Sequence, residues 1–412
     1  MHAILPDRRY LLAPAVLFLF VLPFQHSVAV RLICLLLSLA VAIWIGWNQR
    51  SWTLPLKLPI LLWAFMACLS LAWADNFRDS FNEIKNEILY TILAFFTFYQ
   101  LTRSRREWDL WMAVLALGLL TTASLGIAGY LREGVWPNTS LSFSGGIAAH
   151  SAYLALIFPF LLLALTRPGA SKPAVVLLLA LVLITGYMAA SRAFWLVLPA
   201  TGGVFLILYV RSRTLSRRTI GMLAASAILV LALMPVGYLA VNKNRAAQPG
   251  FRGQTLSQTA EQDPRWELWR YSLDRIAERP FTGTGFGKVA SMRAYQGRFG
   301  DRLMGHAHNL FLDAAVQMGI GGLAALLVLL SAIVLEFRAL FRYPDFEVRM
   351  LGIAGISLVV ALVARNLTDD AFGRAISLLF WSLVGMTLGY GRSLLAEHRD
   401  YLPTRSGTEG SS

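Results

Sequence analysis

The sequence predicts an all-α protein that crosses a membrane many times and carries one long polar loop. Three observations point there. First, the 412-residue chain is 57% hydrophobic and 15% charged, with mean hydropathy +0.58. A water-soluble fold cannot hide that much apolar surface. Second, long uncharged apolar stretches recur along the whole length, as helical spans require. The short alternating segments of a transmembrane barrel are absent. Third, one polar stretch, 242–308, interrupts them. It holds eleven of the 37 Lys and Arg against six Asp and Glu, and two of the six histidines.

Twelve spans are expected, near 10–24, 30–47, 54–74, 84–101, 108–130, 151–166, 173–190, 193–210, 219–241, 309–335, 350–364 and 375–390. The first is short. Arg8 and Arg9, an apolar run and Ser27-Val28-Ala29 imitate a signal peptide. The next span follows almost at once, so a retained first helix is expected. Cys34 and Cys68 both lie in apolar segments and read as small buried residues, neither a disulfide nor a metal site.

Basic residues orient the bundle. With the N-terminus inside, the inner loops hold nineteen Lys and Arg, the short outer loops seven and the long loop eleven. Long loops translocate largely regardless of charge, so 242–308 falls outside. Both termini then lie in the cytoplasm. The layout is nine spans in 1–241, an outer loop with short helices in 242–308, three spans in 309–394 and a disordered tail in 395–412. No internal repeat is evident. The net charge of +14 suits basic loops against anionic membrane lipids. No compact basic module is present, so nucleic acid is not an expected partner.

The long loop has structure of its own. Asp263-Pro264 starts a helix, with a capping carboxylate and then a proline at the first position. That helix should run from Arg265 to about Arg279 and stop at Pro280. Trp266, Trp269, Leu273 and Ile276 form an apolar stripe at helical spacing, suited to a membrane surface or to the bundle. Gly283-Thr284-Gly285-Phe286-Gly287 is a turn that allows close backbone approach.

The chemistry-bearing residues gather on the outer face. His308 sits at the start of the tenth span, where the helix dipole favours a neutral ring that can accept a proton. It reads as a general base or as an ordinary capping histidine. His306 and His308 lack further ligands of matching spacing, so zinc is not expected. Arg192 lies in an almost loopless junction close to the membrane, as either a functional or a snorkelling arginine. Arg265 stands at a helix N-terminus, where the dipole gains nothing from a cation, and so hints at an anionic partner. Arg365, Asp369, Asp370 and Arg374 crowd another outer turn and read as mutual pairs on a solvated face. No Walker-type loop is present. A group transfer on this face needs a donor activated before export, and a lipid-linked pyrophosphate sugar fits.

These residues resemble a known family. His308-Asn309, Leu312, Gly319 and Gly322 are similar to the signature of bacterial O-antigen ligases and their relatives, the O-antigen polymerases. Upstream, Arg265, Trp269, Pro280, Gly283, Gly285 and Gly287, and the pair Ser191-Arg192, are similar too. The likeness covers nearly the whole chain in span pattern and leans to the ligase branch. It implies a GT-C-like membrane glycosyltransferase of the bacterial inner membrane, with its site on the periplasmic face. The implied reaction is metal-independent, inverting transfer of O-antigen from undecaprenyl pyrophosphate to a sugar hydroxyl of lipid A-core, completing lipopolysaccharide. His308 would be the base, and Arg192 and Arg265 would hold the pyrophosphate. Asn309 and His306 would support them, with an outer-turn aspartate for which both Asp369 and Asp370 qualify. No cofactor is implied, and a monomer is expected. A polymerase or a glycan-to-protein ligase would share this chemistry and differ in acceptor. A transporter or flippase would instead place charges at mid-membrane on broken helices, often in repeated halves.

Overall fold

Helix initiation signals in the sequence are matched by helix starts in the structure, a computed structural model describing residues 8–24, 26–49, 54–134, 136–137, 146–189, 191–212, 265–300, 305–367 and 373–400. In chain order the helices are α1 (Arg8–Leu11), α2 (Ala13–Val21), α3 (Val28–Gln49), α4 (Lys57–Leu69), α5 (Phe77–Glu83), α6 (Tyr90–Leu101), α7 (Arg105–Glu133), α8 (Gly146–Thr166), α9 (Lys172–Met188) and α10 (Arg192–Ser212). After 213–264 come α11 (Arg265–Glu278), α12 (Lys288–Phe299), α13 (Leu310–Phe341), α14 (Phe346–Asn366) and α15 (Arg374–Asp400). A 3₁₀ turn, Ser70–Trp73, extends α4, and a π-helical stretch, Ile84–Leu89, joins α5 to α6. No strand occurs among the described residues.

Each expected span coincides with helix except the ninth, 219–241, which lies outside the described residues. Among the described residues, six helical segments are long and apolar enough to cross a membrane: Val28–Trp47, Arg105–Glu133, Gly146–Thr166, Ala193–Ser212, Leu310–Phe341 and Phe346–Asn366. The regular structure among the described residues is therefore all helical, and the chain is a multi-pass membrane protein.

The starts have local causes. Glu107 reaches back from the first turn of α7 to accept from the Ser104 amide at 2.9 Å, one arm of a capping box. Asp345 caps α14 by accepting from Val348 N at 2.9 Å. α14 sits at the centre, packed on α8, α10, α13 and α15. It is accordingly buried nearly all round, from Val348 through Leu362. α15 runs along α6 with Gly385 and Gly389 facing it. A Cβ at these two positions would lie 2.5 Å from the Phe95 carbonyl and 2.4 Å from the Tyr99 carbonyl. Backbone-to-backbone approach of this kind favours small residues in membrane helices.

Where α13 ends and α14 begins, Arg167 ties the bundle. It pairs with Glu347 and with Asp109, the latter at 3.1 Å, and its guanidinium lies 5.9 Å from the ring centres of both Trp108 and Tyr390. Charge and cation–π contacts there join α7, α14 and α15 through the turn after α8.

One expectation about the core needs correcting. Cys34 is buried, but Cys68 is exposed. It shares a face of α4 with the exposed Leu58, Leu61 and Phe65. That face points away from α13, where lipid tolerates a thiol as readily as a methyl group.

Candidate functional site

The site is organised by a break in α13. Gly319 has φ 67° and ψ −169° inside an otherwise helical run. Ile320 N therefore cannot bond back to Val316 and donates instead to the Pro280 carbonyl at 2.8 Å. The freed carbonyls of Val316 and Gln317 accept from Thr284 N and Gly285 N, each at 3.0 Å. Gln317 Oε1 takes Gly287 N at 2.8 Å. The turn 283–287 thus fills the hydrogen bonds that the break opens, as backbone at a membrane helix must. The fit leaves no room for side chains. A Cβ on Gly283 would lie 2.4 Å from the Gln317 carbonyl, and one on Gly319 2.6 Å from the Pro280 carbonyl. The same turn is held from the other side, where Thr284 O accepts from Asp75 N at 3.0 Å, Ser70 Oγ accepts from Phe286 N at 3.0 Å, and Arg279 pairs with Asp75.

Gly319→Ala should therefore destabilise the protein by ~2 kcal/mol or more, since a side chain at this essentially glycine-only φ and ψ costs about 1–3 kcal/mol and the Pro280 contact adds to it. A thermal melt of the detergent-solubilised chain measures this. An unchanged melting temperature would contradict the role given to the break.

Immediately before α13 lies a strap, 305–309. Asn309 is the helix N-cap, with Oδ1 accepting from Phe311 N at 3.0 Å and Leu312 N at 3.2 Å. Its Nδ2 donates to the Leu367 carbonyl at 3.0 Å, joining the head of α13 to the end of α14. His308, just outside the cap, has φ 51°, a left-handed conformation. Ala307 is fully buried and held at both polar atoms. Its amide donates to Asp313 Oδ1 at 2.9 Å, and its carbonyl accepts from Trp269 Nε1 at 3.0 Å. His306 Nδ1 lies 3.1 Å from Asp313 Oδ2. The His306 and His308 rings stack with centroids 4.0 Å apart.

The loop helices brace the strap. α11 buries Leu268 and Ser272, and α12 buries Tyr295, against Val316. Ser272 Oγ and the Tyr295 hydroxyl share a hydrogen bond of 2.7 Å. Burial pushes the Tyr295 phenol well above its ordinary range. Beside the strap a cavity opens among α5, α12, α13 and α15. Glu83, Glu87, Lys288, Asp313 and Gln317 supply its polar lining, and Leu326, Leu329 and Phe380 part of its apolar lining. Glu87 Oε1 accepts from Arg374 N at 2.8 Å. Burial pushes the Glu83 carboxyl up, against the pull of the Arg374 and Lys288 charges.

The expected site residues sort as follows. His306, His308 and Asn309 share the strap. Arg265 is the first residue of α11 and half-buried. It shares a helix face with Trp269, four residues on, whose indole holds the strap. Arg192 is the first residue of α10. Its side chain, and Asp369 and Asp370, lie outside the described residues.

One expectation is corrected. Arg365 is not on a solvated face: it is 2% exposed, and its Nη2 donates to Ser151 Oγ at 3.2 Å. The end of α14 is packed on α8, so this arginine sits between helices. In α11 the expected apolar stripe divides: Trp269 and Ile276 pack on the buried cluster of Leu268, Tyr295 and Val316, while Trp266 and Leu273 are 60% and 57% exposed, on the side where the membrane-surface reading puts them. The Ser272–Tyr295 bond lets a polar residue join Leu268 on the inner face.

Asp313 was not anticipated. The signal was there: a lone carboxylate in the first turn of an apolar helix, a position that usually marks function in a membrane protein.

Residues 173–327 match the family model described as O-Antigen ligase. The matched stretch runs from α9 past the break in α13 and contains Arg192, Arg265 and the whole strap. Comparison with curated proteins finds no match.

Proposed function

We propose that this chain, a member of the O-antigen ligase family by its match over residues 173–327, transfers O-antigen polysaccharide from undecaprenyl pyrophosphate to a sugar hydroxyl of lipid A-core, at the periplasmic face of the inner membrane. One observation carries the reading beyond the family. Trp269 ties the histidine strap to α11, and Arg265 opens the same face of that helix. A base for a hydroxyl and a fork for phosphate oxygens then belong to one assembly.

His308 accepts the proton of the acceptor hydroxyl. The hydroxyl oxygen bonds to the anomeric carbon of the donor from the face opposite its pyrophosphate. The anomeric carbon–oxygen bond breaks, and undecaprenyl pyrophosphate leaves with the electron pair. Arg192 and Arg265 stabilise the charge that develops on it. The outcome is inversion at the anomeric carbon.

The break in α13 resembles the discontinuous helices that transporters use to coordinate ions. Here the Val316 and Gln317 carbonyls accept from the turn 283–287. That pairing favours a rigid site over an ion path.

Purified chain, reconstituted with lipid-linked O-antigen and lipid A-core, should join them without nucleotide and in excess chelator. The pyrophosphate supplies the driving force and the arginines the positive charge. Activity abolished by chelator and restored by a divalent cation would overturn the arginine-based mechanism.

A further inference from the structure

The mechanism above leaves Asp313 unused, although it is the carboxylate on which the strap is built. It is 2% exposed, while the His306 side chain it meets is 16% exposed. One oxygen accepts from the Ala307 amide at 2.9 Å and the other faces His306 Nδ1 at 3.1 Å.

The proton on that imidazole follows from the contacts. The His308 amide also lies 3.1 Å from Nδ1. Nδ1 accepts from it only when it carries no proton. In that state the Nδ1 lone pair would face Asp313 Oδ2 directly, two acceptors in contact within a buried site where mispairing is costly. With the proton on Nδ1, the ring gives up the neutral bond from the His308 amide and donates to the carboxylate in a charge-assisted bond, the stronger of the two. The carboxylate therefore selects the Nδ1–H form, and Nε2 becomes a bare acceptor nitrogen. Carboxylates set imidazole tautomers in the same way in hydrolase triads.

We propose that Asp313 is a positioning residue for the transfer reaction: it fixes His306 as the Nδ1–H tautomer, so that Nε2 accepts a hydrogen bond from a hydroxyl of the acceptor sugar beside the one His308 deprotonates. The proposal rests on the glycosyl-transfer reading. It adds a second imidazole of defined polarity, stacked on the first, as an element of acceptor recognition. Trp269 completes the arrangement by holding the Ala307 carbonyl, so the two rings are carried on one clamped peptide.

Asp313→Asn separates this role from a structural one. The Ala307 amide still needs an acceptor, so the carboxamide oxygen stays on it and the carboxamide nitrogen turns to His306. That nitrogen is a donor. It forces Nδ1 to accept and moves the ring proton to Nε2, while the strap remains tied. Asp313→Ala would remove both bonds and risks the fold, which is why Asn is the informative change.

Two measurements on the full-length chain decide it. The first is ¹⁵N NMR of histidine-labelled protein in detergent at about pH 9, above the ordinary imidazole range, with His306 assigned by its loss in His306→Gln. Nδ1 should be of the protonated type in the native chain and bare in Asp313→Asn. A bare Nδ1 in the native chain overturns the proposal whatever the activity. The second is a double-mutant cycle on acceptor kinetics. Asp313→Asn should cut kcat/KM for the acceptor at least about tenfold, the loss of one hydrogen bond to the acceptor hydroxyl. In a His306→Ala background the same change should cost less than about twofold. Equal losses in both backgrounds, or no loss in either, would show that Asp313 does not act through His306. Lack of transfer by the native chain would instead sink the ligase reading, and the NMR result would still stand.

Discussion

His308→Ala and His308→Asn should both reach the membrane at the native level and lose nearly all transfer. General-base catalysis contributes about a hundredfold to ten-thousandfold. The two substitutions separate chemistry from backbone. His308 sits at φ 51°, where alanine is strained by roughly 1–2 kcal/mol but asparagine is at home. Asparagine keeps the turn and removes the base. Neither change opens a large hole, because the ring is half-exposed and stacks on His306. The anchors of the strap, Asp313 and Trp269, hold its neighbour Ala307 instead. The readout is a lipopolysaccharide gel from cells lacking their own ligase, at matched membrane levels. His306→Ala should be milder, since its ring is placed to position the acceptor. A full polysaccharide ladder from His308→Asn would remove the general-base role. A ladder from His308→Ala but not from His306→Ala would move the base two residues upstream.

That strap was legible in part. His308-Asn309 before an apolar run marks a helix start, and the structure places the cap on Asn309. A helix over 265–278 was equally legible, because Asp263-Pro264 and Pro280 bracket it in the sequence. The glycines of 283–287 and Gly319 could be read as points of close approach. Their partnership could not, because its hydrogen bonds join residues more than thirty positions apart. A sequence marks where a chain can bend but not which carbonyl meets it there. The same limit hid Asp313, whose partners His306 and Ala307 become neighbours only once the strap folds back over the first turn of α13. Arg365 misled for a related reason. Four charges in ten residues read as a solvated turn, whereas helix packing carries the first of them into the protein.

Arg265→Lys should fold normally and still fail in transfer, by roughly ten- to a hundredfold, the value of a charge-assisted hydrogen bond of about 1.5–3 kcal/mol. Arg265 opens α11, with Glu267 in the same turn. A cation there meets the positive end of the helix dipole, a modest cost of about 0.3–1 kcal/mol. Lysine carries the same charge to the same place, so a purely electrostatic role would survive the change. It lacks the planar fork that spans two phosphate oxygens, so a bidentate role would not. Since pyrophosphate charge grows as the anomeric bond breaks, the loss should fall on kcat more than on KM for the lipid-linked donor. Arg192→Ala, at the first residue of α10, should fail at least as severely, because it removes charge and fork together. Thermal melts matching the native chain would rule out misfolding in both. Native transfer rates in both variants, at equal membrane levels, would take these arginines out of the site and leave the departing pyrophosphate to other groups.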